Sequence, residues 1–179
     1  MKACYRYIIW FALYSILGWC YEVTLEVFIY HWGYSDRGVL FGPYCPVYGF
    51  GAMLFLVLVY PLIKGRPLKE RLFRLPLVFL MCMTTATLLE LATSYLLEFL
   101  TGSWPWQTYV NYTYHFQGRI ALSPSLRFGL GGIIFLYLLQ PLFEGFCDRI
   151  GEQWVKRLAL TILAVLAGDL IITVLTSIL

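Results

Sequence analysis

The 179-residue chain is 60% hydrophobic and only 13% charged, with 13 basic and 10 acidic residues and a formal net charge of +3. So few charges cannot coat a soluble domain of this size, and apolar windows of bilayer-crossing length recur along the chain, which marks it as an integral membrane protein. The small positive excess calls for no nucleic-acid partner; the lipid bilayer is the partner that the composition demands.

In chain order, apolar runs cover residues 7–30, 44–63, 75–100, 124–143 and 157–178. Each is near the ~20 residues that cross a hydrocarbon core, so the expected fold is an all-α integral membrane protein of about five transmembrane helices in one domain, 1–179. Outer-membrane barrel strands would alternate over ~10-residue segments, which these runs do not. The first run is too long for a signal peptide, holds Glu22 and Glu26 and lacks a small-residue cleavage site, so it is expected to be retained.

Lysine and arginine divide the connecting segments into two classes. Lys2 and Arg6 precede the first run, Lys64, Arg66, Lys69, Arg71 and Arg74 lie between the second and third, and Arg149, Lys156 and Arg157 between the fourth and fifth. The other side holds Arg37, Arg119 and Arg127. Positive segments stay cytoplasmic, which puts the N-terminus inside and, with five crossings, the C-terminus outside. Anionic lipid contact by the 64–74 segment is a secondary expectation.

The stretch "DRGVLFGPYCPVYGFGA", residues 36–52, suits no continuous helix. Pro43 and Pro46 interrupt one, while Gly42 and Gly49 permit tight turns and close backbone approach around Cys45 and Tyr48. These six residues are the expected structural loop. If it dips into the membrane it must be buried in protein or line a wet cavity, and the helix after it would start inside the bundle with its positive dipole end exposed to an anionic group. An outer turn without a ligand is the alternative.

Internal comparison adds a stripe. Ser15, Gly18, Glu22 and Glu26 recur at constant offset as Thr87, Glu90, Ser94 and Glu98, and each set is followed by an outer loop, an Arg/Gly pair, a proline and a glycine pair. Such a pattern predicts parallel tandem repeats of helix, outer loop and helix over 7–63 and 75–143, with 157–178 as an additional helix. Five acids, Glu22, Glu26, Glu90, Glu98 and Asp169, fall within spans. Intramembrane carboxylates usually face a bundle interior or a cavity, which makes these five candidate substrate or proton ligands. Arg37, Arg119 and Arg127, on the outer side, are their candidate counter-charges, with structural ion pairs that pin loops to helices as the competing role.

The five cysteines form no disulfide framework or zinc spacing, and His31 and His115 stand in separate loops, so neither metal nor other cofactor is expected. No phosphate-binding G-x-x-x-x-G-K-[ST] loop is present, so ATP-driven transport would require a separate ATPase subunit. Ala164 and Gly168 have the spacing for close helix packing within the chain or in a homo-oligomer.

The runs "YSILGWCYEV", "DRGVLFGPYCPVYGFGA", "LELATSYLLEFL" and "GRIALSPSLRFG" resemble the bacterial family named putative ABC-transporter type IV, often labelled an ABC transporter permease. The similarity runs from about Tyr14 to Gly132, and its most specific part is Arg37, Gly38, Gly42, Pro43, Cys45, Pro46, Tyr48 and Gly49. The resemblance implies a multi-pass plasma-membrane protein acting in transport. Gln107 and His115 depart from the family pattern in the second outer loop, and the aromatics there, Trp104, Trp106, Tyr109, Tyr112 and Tyr114, fit an interfacial belt. Three functional classes fit these residues. One is a permease with an outward-facing acidic cavity for protons or a small polar or cationic substrate. The others are a substrate-capture module of a larger transporter and an intramembrane enzyme acting on a lipid-linked substrate. No catalytic constellation is visible for the last.

Overall fold

Long apolar runs in lipid satisfy their backbone polar groups internally, and helices accordingly dominate the chain. The computed structural model describes residues 2–29, 31, 33–34 and 40–178. Helix α1 (Lys2–Thr24) widens into a π-helical turn at Leu25–Ile29. Helix α2 (Pro46–Leu58) runs into a 3-10 turn at Tyr60–Leu62, and a short α3 (Leu68–Phe73) precedes α4 (Leu75–Thr101). A 3-10 turn at Gln107–Asn111 and two short strands, β1 (His115–Phe116) and β2 (Ile120–Ala121), lead to α5 (Leu122–Ile134). A π-helical turn at Phe135–Leu139 joins α5 to α6 (Gln140–Ile150), and α7 (Glu152–Ile178) ends the chain.

Among the described residues, four helices are long and apolar enough to cross a membrane: Ala3–Ile29, Leu75–Thr101, Leu122–Ile150 and Glu152–Thr176. At ~1.5 Å per residue each exceeds the ~30 Å hydrocarbon thickness. The run expected at 44–63 instead forms the shorter Pro46–Leu62, about 25 Å long, which falls below that thickness. Its late start has a local cause, since Pro43 and Pro46 cannot donate to a helical ladder.

Punctuation follows the sequence. Gly102, at φ +80°, closes α4 and donates its N–H to Glu98 O at 2.8 Å; Gly151, at φ +77°, separates α6 from α7. The β-hairpin pairs His115 with Ala121 and Phe116 with Ile120, through a turn in which Gln117 and Gly118 both have positive φ. The all-helical expectation did not include it, because two-residue strands are too short to show a period-2 pattern.

The chain divides into two compact units, Met1–Met53 with Leu142–Leu179, and Leu54–Pro141; the divisions fall inside α2 and α6. In the first unit α1 packs against α7, and Ile9, Tyr14, Ser15 and Ala159 are buried. Tyr14 meets Phe143 edge-on at 5.2 Å, and Arg6 pairs with Asp148 at 2.6 Å. In the second unit α4 packs along α5, burying Val78, Cys82 and Ser94. Two α5 glycines permit that approach: a Cβ on Gly129 would lie 2.6 Å from the Phe79 ring, and one on Gly132 would overlap Cys82.

Candidate functional site

In the first unit every backbone N–H of residues 41–45 has an acceptor. Pro43 and Pro46 bring no N–H. The amides of Phe41 and Gly42 donate to the Asp169 carboxylate of α7 at 3.0 and 2.9 Å, Tyr44 N–H donates to Gly42 O at 2.7 Å, and Cys45 N–H donates to Ser15 O of α1 at 2.9 Å. The Tyr44 hydroxyl and, at 3.3 Å, the Thr173 hydroxyl also bond Asp169. Gly42 is required for this fold of the loop, because a Cβ there would overlap the Tyr44 ring.

Ser15 lies about 14 residues before the end of the helical run at Ile29, or roughly 21 Å along the axis. The loop therefore meets α1 near its middle, and α2 begins there. The stripe continues from that point. Gly49 packs on Phe11 and Ser15, Gly18 receives the Tyr48 ring, and the Tyr48 hydroxyl donates to Glu22. Glu26 is 5% exposed within the π-helical turn. Arg37, one of the three expected counter-charges, lies outside the described residues.

In the second unit Thr87 also lies about 14 residues before the end of its helix at Thr101, and it holds the start of the returning helix. Its hydroxyl donates to Ser125 Oγ at 2.8 Å, and Ser125 in turn donates to Ala121 O at 2.9 Å. One turn further, Tyr109 donates its hydroxyl proton to Glu90 at 2.9 Å.

Arg119 forms the expected ion pair, with Glu98 Oε2 at 2.5 Å, and reaches Ser94 Oγ at 3.4 Å. Its guanidinium, in a residue only 6% exposed, lies 4.1 Å from the Tyr95 ring centroid and 4.0 Å from that of Trp104. The planar cation is thus held by two aromatic faces and one carboxylate, a combination lysine cannot reproduce. Trp106 Nε1 donates to Arg119 O at 2.8 Å. Two aromatics assigned to an interfacial belt therefore fasten this loop. His115 Nδ1 accepts from Gly118 N–H at 3.0 Å and so shapes the hairpin turn, while Arg127 is exposed on α5 and donates to Ser123 at 3.4 Å.

Four of the five candidate acids thus divide by partner. Glu98 meets an arginine, Asp169 meets loop amides and a phenol, and Glu22 and Glu90 meet tyrosine hydroxyls. Tyr44 and Tyr109 were not singled out from the sequence as carboxylate partners. The available signal was a tyrosine-rich loop facing an acid-bearing stripe, since a phenol donates a hydrogen bond while its ring packs among apolar groups.

Cavities of about 340 and 410 Å³ open elsewhere. The first is lined by Tyr5, Arg6, Glu152 and Lys156, the second by Thr113, His115, Phe116 and Ser125, and neither contains a stripe acid. Among the described residues no three histidine, cysteine, aspartate or glutamate side chains converge as a metal site.

The model of the family described as putative ABC-transporter type IV matches residues 9–174, and the chain belongs to that family. No curated protein and no solved structure matches the chain.

Proposed function

With membership of this family as the premise, we propose that the chain is a permease-like transport protein of the plasma membrane. In this reading Glu22 of the first unit and Glu90 of the second each act as an outward-facing acidic ligand for protons or for a small polar or cationic substrate. The observation that carries the proposal is the Glu22–Tyr48 hydrogen bond. A phenol orients a carboxylate without neutralising it, so the acid retains a charge that a proton or cation can meet. The Glu90–Tyr109 bond repeats the arrangement in the second unit. Asp169 fastens the loop of the first unit, and Glu98 and Arg119 fasten that of the second.

The proposed topology has five crossings with the N-terminus cytoplasmic and the C-terminus outside. Residues 40–45 enter the membrane as a re-entrant segment and complete the passage made by Pro46–Leu62. The amide account of the loop supports this, because irregular backbone survives at depth only where protein satisfies it. The tandem repeat draws support from Ser15 and Thr87, which receive the returning chain at equal distances from their helix ends. An ATPase subunit would supply the energy for ATP-driven transport. Self-association through Ala164 and Gly168 is the proposed oligomer contact, and no heavy atom lies within 4 Å of a Cβ placed on Gly168.

The test is uptake by proteoliposomes carrying an internal pH dye, with and without any ATPase that copurifies. Glu22→Gln and Glu90→Gln are expected to abolish proton or cation uptake while eluting and melting like the parent protein. Full uptake by both variants would remove these carboxylates from the mechanism.

A further inference from the structure

Between α2 and α4 the chain carries Lys64, Arg66, Lys69, Arg71 and Arg74 against the single acid Glu70. Within this segment Arg71 anchors α3 to Tyr137. Arg71 O accepts a hydrogen bond from the Tyr137 hydroxyl at 2.6 Å, and the Arg71 guanidinium lies 5.1 Å from the Tyr137 ring centroid. The anchor decides which way the rest of α3 faces.

At roughly 100° per residue, Leu68, Leu72, Lys69 and Phe73 occupy one arc of about 140° directed away from Arg71, and Glu70 lies on the other flank. The apolar members of that arc are bare: Leu68 is 66% exposed, Leu72 51% and Phe73 87%. Lys69, within the same arc, has a stem long enough to lie along the apolar surface while its ammonium reaches a charged layer. Arg66 pairs with Glu70 at 3.0 Å, which cancels the one acid and leaves the segment strongly positive.

We propose that α3 and the basic turn before it form a docking surface for anionic phospholipid headgroups, with Leu68, Leu72 and Phe73 inserted at the acyl boundary and Lys64 and Lys69 on the phosphates. Charge complementarity selects this occupant. A neutral lipid surface would leave the basic cluster unmatched, and a protein groove that accepted the apolar arc would have to bury Lys69 as well. The inference rests on the chain being a membrane protein and is independent of what it transports.

The test uses the full chain in vesicles of phosphatidylcholine alone and of phosphatidylcholine mixed with phosphatidylglycerol, with hydrogen exchange followed for peptides covering 64–74. Exchange in this segment is expected to be about tenfold slower in the anionic vesicles, the ratio equivalent to ~1.4 kcal/mol. High salt should remove the protection because it shortens the Debye length. Peptides from 103–118 serve as the internal reference and should be indifferent to lipid charge. The variant K64Q/R66Q/K69Q should exchange equally fast in both vesicles. Equal rates for the parent protein in the two lipids would overturn the proposal, and so would protection that appears only when a copurified ATPase is added, since the surface would then be a protein contact.

Discussion

The two units solve the same problem with different materials. Each has a leading helix whose stripe residue, Ser15 or Thr87, holds the start of a returning chain about 14 residues from the helix end. In the second unit the connecting loop fastens itself, by a hairpin, the Arg119–Glu98 pair and the stacked Tyr95 and Trp104 rings. In the first unit the loop's amides are taken by Asp169 of α7. The difference gives the additional helix a structural purpose: α7 supplies the carboxylate that accepts from the first loop's amides.

That contrast can be broken at its strongest point by Asp169→Ala. Without the carboxylate the Phe41 and Gly42 amides and the Tyr44 hydroxyl lose their common acceptor, and an amide facing lipid has no water to bond instead. Cys45, buried in the parent protein, is expected to go from unreactive to nearly fully labelled by a membrane-permeant maleimide. Unchanged labelling would show that α7 does not hold the loop.

The corresponding change in the second unit is Arg119→Ala, which removes the ion pair and both stacking contacts together. A loss of about 2–4 kcal/mol is expected in unfolding from detergent, with Arg119→Lys recovering part of it. Equal stability of the lysine variant and the parent would mean that charge alone, without the aromatic faces, fastens the loop.

Close helix approach comes next. Gly132→Ala forces a Cβ onto Cys82 in the second unit, and Gly18→Ala forces one onto the Tyr48 ring in the first. Each is expected to cost about 1–3 kcal/mol. Gly18→Ala should also displace Tyr48 from Glu22, so it sharpens the comparison by lowering uptake where Gly132→Ala does not. The smallest effect is expected outside both loops: Arg66→Ala removes an exposed i, i+4 pair with Glu70 and should change stability by no more than about 0.5 kcal/mol.

Much of this was legible in the residues. The long helices followed from apolar length, Arg119 was legible as a counter-charge to the span acids though not Glu98 as its partner, and the break around Pro43 and Pro46 followed from proline chemistry. The shortness of Pro46–Leu62 was not, because hydropathy counts apolar residues such as Tyr44 and Cys45 alike whether they are helical or looped. Nor was the role of Asp169. Its partners are backbone amides more than a hundred positions away, and amides carry no side-chain signature. Tyr109 and Trp104 likewise read as interfacial aromatics, since composition does not distinguish a ring facing lipid from one facing a carboxylate or a guanidinium.

The central claim is that the first loop reaches the middle of α1. Paired spin labels on a background lacking the native cysteines test it most directly, with one label at Val47, in the first turn of α2, and the second at Ile16 or at Phe28, all exposed positions. Ile16 and Phe28 are roughly 18 Å apart along the helix. The account predicts, in lipid bilayers, a clearly shorter 47–16 distance than 47–28 distance. A shorter 47–28 distance would place the loop at the helix end and contradict it.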